Sequence, residues 1–280
     1  MITISKEQYA SISRAVKDYS GIVLERIPRQ RVEKKIKDQM VAFNCLDLSA
    51  YIGLLNDCKA NPYIMDSLIS EVTVSESYIF RNPKQFEYML ARFFPDYFEK
   101  NDCKFPLKIW SAGCSRGEEP YSIAMIAMDY QKKHPEAGFT INAGDISKYN
   151  LNAAKSGVYT ASSMRGKIEY FEEKLGFKIG EYDAKGNCRI FQEIKDMVNF
   201  QWLNLKDIGK LKIMQGSDII FCRNVLVYFD EVLRNKLLET FFACLNSNGL
   251  LFIGESECFP FPDKTFELLN TTGSYAYRKP

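Results

Sequence analysis

The residues best placed to do chemistry begin in one short stretch, Leu107 to Ser122, which reads LKIWSAGCSRGEEPYS. Leu107, Ile109 and Trp110 make an apolar run of strand length. Gly113 and Gly117 supply the freedom of a tight turn, and Glu118, Glu119 and Pro120 suit the first turn of a helix. A strand, a glycine loop and a helix in that order bring the main chain close to a ligand. The glycines are spaced Gly-x-x-x-Gly and no Lys-Ser or Lys-Thr follows, which disfavours a phosphate-gripping loop. Two acids at the helix start repel a pyrophosphate. They suit a ligand that carries positive charge and presents an amine and hydroxyls, such as S-adenosylmethionine. Asp145, 28 residues after Gly117, ends the strand-like run FTINAGDI, where doubly wound folds place the carboxylate that accepts ribose hydroxyls. Upstream, Arg81 closes TVSESYIFR, a segment too short and too polar for a bundle helix and expected to lie across the mouth of the following domain. The single histidine, His134, sits beside a proline where a helix should stop, so a histidine base is not expected.

These residues need a scaffold, and the pattern of the chain supplies one. Up to about residue 82 the sequence reads as a helical N-terminal domain. Ser5 and Gln8 form a capping box, Tyr9, Ile12 and Val16 keep helical spacing, and Gly21 ends the first helix. Pro28 opens the second, and over Arg26 to Lys37 the bases Arg26, Arg29, Arg31, Lys34, Lys35 and Lys37 project outwards while Val32, Ile36, Met40 and Phe43 hold the apolar face. Those bases are either a solvated face or a docking surface for an acidic protein helix. Helical stretches at Leu48 to Leu55 and Pro62 to Glu71 complete a small bundle. A connecting helix and linker fill 83–106, with 99–106 as a polar approach to the first strand. From 107 to 280 apolar runs alternate with helical ones, which predicts a mainly parallel sheet. Its strands are expected at Leu107, at Phe139 to Ile146, at Val198 to Trp202, at Asp218 to Cys222, after an Asn248-Gly249 turn at Leu250 to Gly254, and at Ser274 to Arg278. Helices are expected at Tyr121 to Tyr130 and Glu231 to Leu245. Residues 159 to about 200 break the alternation and read as a small antiparallel insertion.

Composition narrows the field further. A formal charge of +2 on 280 residues gives no reason to expect nucleic acid as a partner. The start MITISKEQYA lacks a signal pattern, and no apolar run approaches the roughly 18 residues of a membrane span. A cytoplasmic monomer without membrane insertion is expected. The eight cysteines never form Cys-x-x-Cys, so reduced thiols are expected and neither a metal site nor a disulfide framework is.

Six strings, TVSESYIFR, SAGCSRGEEPYSIA, GDIS, Asn204-Leu205, FCRNVLVYFD and LLFIGESE, occur in an order that resembles the CheR family of chemoreceptor glutamate methyltransferases, over nearly the whole chain. The resemblance implies an α/β fold. It consists of a class I methyltransferase (Rossmann-like) doubly wound sheet with a small inserted antiparallel β-subdomain, preceded by an all-α N-terminal domain. It also implies S-adenosylmethionine as methyl donor and S-adenosylhomocysteine as product, with no metal, and the cytoplasmic helical region of methyl-accepting chemotaxis receptors as partner. The family's connector runs Thr-x-Asn-Glu-Thr-x-Phe-Phe-Arg, so Ser75, Ser77 and Arg81 take its donor-lining places. By the same match Gly113 belongs to the glycine loop and Glu119 holds the donor's amino-acid part. Asp145 holds the ribose, and Asn204 with Leu205 the adenine side. Arg223 and Asn224 lie near the donor, and Tyr228 lies beside the reacting centre. The sequence departs from the family at Ser75, at Ser77 and at Arg116, which stands where threonine is usual and is expected to face solvent or pair with an acid.

The implied reaction is an in-line attack of a glutamate carboxylate on a sulfonium methyl. A glutamate of ordinary pKa, about 4.3, is already ionised at neutral pH, so positioning and not a general base is the main task. Arg81 is the candidate for aiming the carboxylate, because a guanidinium forks onto two oxygens. Tyr228 is the candidate for a hydrogen bond to the reactants or for packing against the methyl. Two alternatives stay open on the sequence: a methyltransferase-like module that binds S-adenosylmethionine or a partner without transfer, and a methyltransferase acting on a small molecule.

Overall fold

A computed structural model describes residues 4–57, 62–73, 77–165, 167–257, 266–271 and 273–280. Helix α1, Lys6–Ser20, opens on the Ser5–Gln8 capping box and closes on Gly21 in the left-handed region at φ 80°. Helix α2, Arg29–Ala42, follows Pro28 and turns Val32, Ile36 and Met40 inwards. Helix α3, Leu48–Asn56, is capped by the Asp47 carboxylate, and α4, Pro62–Thr73, buries Ile64, Met65, Leu68, Ile69 and Val72.

The expected connecting helix is longer than its apolar pattern suggests. It runs as α5, Pro83–Tyr88, a π-helical turn over Met89–Phe93, and α6, Phe94–Asn101. Pro95 explains the wide turn: it offers no N–H and its ring would strike the carbonyl four residues back. Widening the turn keeps the helix continuous.

The main sheet comprises β1 Leu107–Ala112, β2 Phe139–Asp145, β6 Val198–Trp202, β7 Ser217–Cys222, β8 Leu245–Ile253, β9 Glu267–Asn270 and β10 Tyr275–Arg278. Their order is β6-β2-β1-β7-β8-β10-β9; the first five are parallel and β10 runs antiparallel to both neighbours. Strand order reverses between β1 and β7, and the carboxyl ends of those strands open the crevice in which such sheets bind ligands. Helix α7, Glu118–Lys133, leaves the glycine loop after β1, and α8, Lys148–Ser156, follows β2.

The insertion holds a second sheet, β3 Val158–Tyr159, β4 Gly180–Tyr182 and β5 Cys188–Ile190, antiparallel in the order β3-β5-β4. It also contains two short helices that the sequence pattern did not reveal, α9 Ile168–Leu175 and α10 Gln192–Asp196. Helix α11, Glu231–Cys244, leads into β8. Two strand expectations need correction. Asn248-Gly249 is not a turn ahead of the strand but lies inside β8, where Asn248 N–H donates to Lys279 O and Lys279 N–H to Gly249 O. Strand β9 at the sheet edge was not anticipated at all.

Two apolar cores flank the sheet. On one face α1 to α4 share a core with Trp110, Ile220, Leu251 and α11. On the other, the 83–101 helix, α7 and the insertion pack on Ile109, Ile219 and Phe221. The helical N-terminal residues are therefore fused to the sheet by burial, which fixes how they overhang its carboxyl end.

Candidate active site

One cleft at the carboxyl ends of the parallel strands collects Ser77, Arg81, Gly113, Glu119, Asp145, Asn204, Leu205, Arg223, Asn224 and Tyr228, so the sequence-predicted positions come together, with one exception. Ser75 lies outside the described residues. The cleft encloses about 980 Å³ of empty space, part of it continuous with solvent.

The glycine loop forms its floor. Gly113 adopts φ 77°, and a Cβ there would lie 2.6 Å from Val225 Cγ2, so only glycine lets the 223–228 loop seat this closely. Asp145 ends β2 with its carboxylate almost buried. Oδ2 accepts from Ser115 N–H at 2.8 Å and Oδ1 from Ser147 N–H at 2.9 Å. Burial raises its pKa to about 6, the two amides pulling back and the charge of Asp66 adding to the rise. The Asn150 side chain donates to the same carboxylate and also favours its charge.

Glu119 projects from the first turn of α7. Ser111 Oγ donates to its Oε1 at 2.6 Å, and Arg223 Nε stands 3.1 Å from Oε2, close enough for an ion pair but too poorly angled for a hydrogen bond. Burial raises the Glu119 pKa, opposed by Arg223, Ser111 and Arg81, and burial lowers that of Arg223. Arg223 also donates to Gln85 Oε1 at 3.1 Å and to the Arg81 carbonyl at 2.8 Å. A buried carboxylate and two guanidinia thus meet at one end of the cleft, with an ionisable acid at the other.

The connector that carries Arg81 is held under tension. Phe80 takes φ 57° and Asn82 φ 59°, left-handed values that a bulky residue such as Phe80 seldom adopts. Burial of the Phe80 ring, stacked on Phe171 and edge-on to Phe86, offsets strain of roughly 1–3 kcal/mol. Phe80 N–H donates to Ser122 Oγ at 2.8 Å, and Ile79 N–H to Ser163 O. Arg81 is therefore aimed by its neighbours and not by its own rotamer alone.

Tyr228 lines the cleft, but its hydroxyl donates to Thr73 O at 2.8 Å, so its proton is committed to the end of α4. Of the two roles the sequence suggested, packing by the ring is the one left open without breaking a bond. Asn204 spends Nδ2 on Tyr19 O at 2.8 Å, the last turn of α1. Arg116 does not line the cleft, and its charge favours the ionised form of Glu118. His134 is exposed at the end of α7, far from the chemistry in role as well as position, stacked on Tyr130. The basic residues lie outside the cleft. Arg29 pairs with Glu33 at 2.7 Å and stacks on Tyr9, Lys35 pairs with Glu71 at 3.3 Å, Lys34 is exposed, and Arg26 reaches Val227 O at 3.5 Å beside the rim.

Sequence reasoning missed several residues. Ser20, Ile69 and Thr73 of the N-terminal helices, with Ile22 just after α1, line the cleft, and only tertiary packing brings them there. Glu118 is buried behind the loop, where it accepts from Ser163 Oγ at 3.2 Å and from Ser77, and burial raises its pKa. Glu257, within the quoted GESE string, proves to be buried beneath the 223–228 loop. Among the described residues no group of three His, Cys, Asp or Glu side chains is arranged to hold a metal, and no helix is long and apolar enough to cross a membrane.

The sheet order, the glycine loop and the acid ending β2 define a Rossmann-like methyltransferase domain. Residues 75–274 match the family described as "CheR methyltransferase, SAM binding domain". The chain belongs to the CheR methyltransferase family. It is similar to the chemotaxis protein methyltransferase of Borreliella burgdorferi, with 32% identity over 260 residues, covering 91% of this chain and 89% of the relative. It is also similar to those of Vibrio parahaemolyticus, 31% over 281 residues with 99% and 98% covered, and of Escherichia coli, 30% over 272 residues with 97% and 91% covered.

The residues present fit S-adenosylmethionine. A cleft with two buried acids and an Arg223 Nε left without a hydrogen bond matches a ligand bearing hydroxyls, an ammonium and a carboxylate. A pyrophosphate would meet Glu119 and Asp145 instead of backbone donors.

Proposed function

We propose that this protein esterifies glutamate side chains of methyl-accepting chemotaxis receptors, giving glutamate methyl ester and S-adenosylhomocysteine. The observation that carries the reading is the convergence of Glu119, Arg223 and Arg81 in the same cleft as Asp145. S-adenosylmethionine supplies the chemistry, an electrophilic methyl on a sulfonium. Asp145 accepts from the ribose hydroxyls, and Glu119 takes the donor's ammonium while Arg223 and Asn224 face its carboxylate side. Asn204 and Leu205 border the adenine, Ser77 serves the connector face of the cleft, and Ser75 is assigned to the donor by the family match alone. Arg81 forks onto the substrate carboxylate and aims one oxygen at the methyl, and the Tyr228 ring walls the reacting centre. The attacking oxygen is ionised already, so no side chain has to remove a proton. A carboxylate and a sulfonium become a neutral ester and thioether, and a cleft poor in water favours that loss of charge.

In this reading residues 1–82 roof the site and dock the receptor through Arg26, Arg29, Arg31, Lys34, Lys35 and Lys37. Residues 83–106 connect, and 107–280 bind the donor, with the insertion at about 159–200 as a separate subdomain. The test is incubation with tritiated S-adenosylmethionine and membranes carrying a chemoreceptor. Label should enter the receptor and leave as methanol in mild base. Label that resists base would overturn the glutamate ester.

A further inference from the structure

We infer that Glu257 is a positioning residue for transfer: its carboxylate fixes the 223–228 loop, and through it Arg223 and Tyr228. The inference rests on the methyl transfer proposed above. Glu257 is 2% exposed and does not line the cleft, so it acts through the loop and not on a ligand. Its Oε2 accepts from Asn224 N–H at 2.7 Å and from Gly254 N–H at 2.8 Å, and its Oε1 from Val227 N–H at 3.2 Å. The amide of Leu226 favours the same charge. A single carboxylate thus gathers the main chain of the loop from 224 to 227, together with the end of β8.

The loop needs such an anchor. Asn224 sits at φ 60°, a backbone conformation that favours glycine, and its N–H is the one bonded most closely to Glu257. Arg223, just before it, holds Glu119, Gln85 and the Arg81 carbonyl; Tyr228, just after, spans to Thr73. Space around the anchor is closed. A Cβ at Gly254 would stand 2.8 Å from Asn224 Nδ2 and 2.9 Å from Glu257 Oε2, while on the far side Val225 already fills the space above Gly113. A shift of the carboxylate must therefore travel into the residues on either side of Asn224. Of the donor's proposed contacts, Asp145, Asn204 and Leu205 stand on β2 and after β6, outside this loop, so a displaced loop weakens donor binding only through Arg223, Asn224 and Glu119 while it misplaces the reacting groups. Loss of the anchor should then separate transfer from binding.

Glu257→Gln keeps the shape but turns an NH₂ towards backbone N–H donors. Gly254→Ala keeps the charge and every amide and crowds the same loop; Gly254 does not need a positive φ, so the added methyl acts only by pressing on Asn224 and Glu257, and a cooperative thermal transition is required of both variants before their kinetics are compared. The experiment measures kcat with receptor membranes, KM for receptor, and calorimetric Kd for S-adenosylhomocysteine in the parent and both variants. Active sites are counted by S-adenosylhomocysteine titration. For Glu257→Gln the expected result is a kcat lower by roughly 100-fold, the cost of misplacing reactants by about an ångström, with Kd and KM within about fivefold. Gly254→Ala should lose at least roughly tenfold in kcat by the same split. Normal kcat per active site in Gly254→Ala overturns the inference even if Glu257→Gln does not fold. A Kd that worsens as much as kcat in both also overturns it, since the acid would then serve general stability. A parent that binds S-adenosylhomocysteine but labels no receptor removes the transfer reading itself, and the inference with it.

Discussion

Asp145 should make ligand binding release a proton. Burial lifts this carboxyl from 3.8 to about 6, so holding it ionised in the empty protein costs about 3 kcal/mol. A raised acid contributes its stability in full below its unfolded pKa, and that contribution is lost as pH rises through the folded value. The cost is therefore absent near pH 3.8 and complete above pH 6. Hydroxyl donors from a bound ribose favour the ionised form and draw the pKa back down. If binding restored an ordinary value, affinity for S-adenosylhomocysteine would rise by about tenfold between pH 5 and pH 7.5. Calorimetry in buffers of different ionisation enthalpy counts the protons directly, and release should be largest at about pH 5 and absent by about pH 7.5.

Other buried acids near the cleft, Glu118, Glu119 and Glu257, are raised by burial too, so a control must isolate Asp145. Asp145→Asn supplies it. The amide removes the titration and turns one donor towards Ser115 or Ser147, and affinity at about pH 7.5 should fall by roughly 10- to 100-fold, the worth of a hydrogen bond to a charged group. The variant's affinity should also vary little with pH. A parent whose affinity is flat from about pH 5 to 7.5, or a slope that survives in Asp145→Asn, would refute the assignment.

Three further outcomes are expected. Arg81→Ala should leave S-adenosylhomocysteine affinity nearly unchanged and abolish labelled-methyl transfer, because the Arg81 carbonyl that accepts from Arg223 is kept in the variant. Arg81→Lys should not restore transfer, since a point charge cannot fork onto a carboxylate. Reversing the charge of Lys34 and Lys37 together should raise KM for receptor and make it less sensitive to salt without altering kcat; an unchanged KM would discard the docking surface. Tyr228→Phe removes the donor to Thr73 O and should cost about 1–3 kcal/mol in thermal or urea unfolding, while folded enzyme retains most of its kcat. A loss of roughly 100-fold there would give the hydroxyl a direct part in transfer.

What the sequence made legible was local. The glycine loop, Asp145 and the Arg223-Asn224 step each follow a strand directly, so an apolar run with the right exit places them without knowledge of the fold. Glu257 was not legible in role, because its meaning depends on amides 30 to 33 residues earlier. The Asn248-Gly249 pair misled for a related reason. It carries turn chemistry, and Asn248 does take φ 64°, but hydrogen bonds to Lys279 absorb it as an irregularity within β8. The wide turn at Met89–Phe93 was readable in principle from Pro95, had the proline been weighed against the helical periodicity.

The N-terminal helices looked like a neighbouring bundle, yet the ends of two of them are finished by the sheet domain. The last turn of α1 exposes carbonyls that the helix itself cannot satisfy. Asn204 donates to that of Tyr19 at 2.8 Å, and Lys206 Nζ to those of Lys17, at 3.2 Å, and Asp18. Tyr228 does the same for Thr73 at the end of α4. In return Asp66 of α4 accepts from Lys148 and Tyr149 N–H at 2.9 and 3.2 Å, capping α8 just beyond Asp145. Two of the residues that finish these helices, Asn204 and Tyr228, also line the cleft. Displacing the roof would leave helix ends unsatisfied and loosen both residues at once, so a ligand that holds Asn204 and Tyr228 in place also stabilises the roof that covers it.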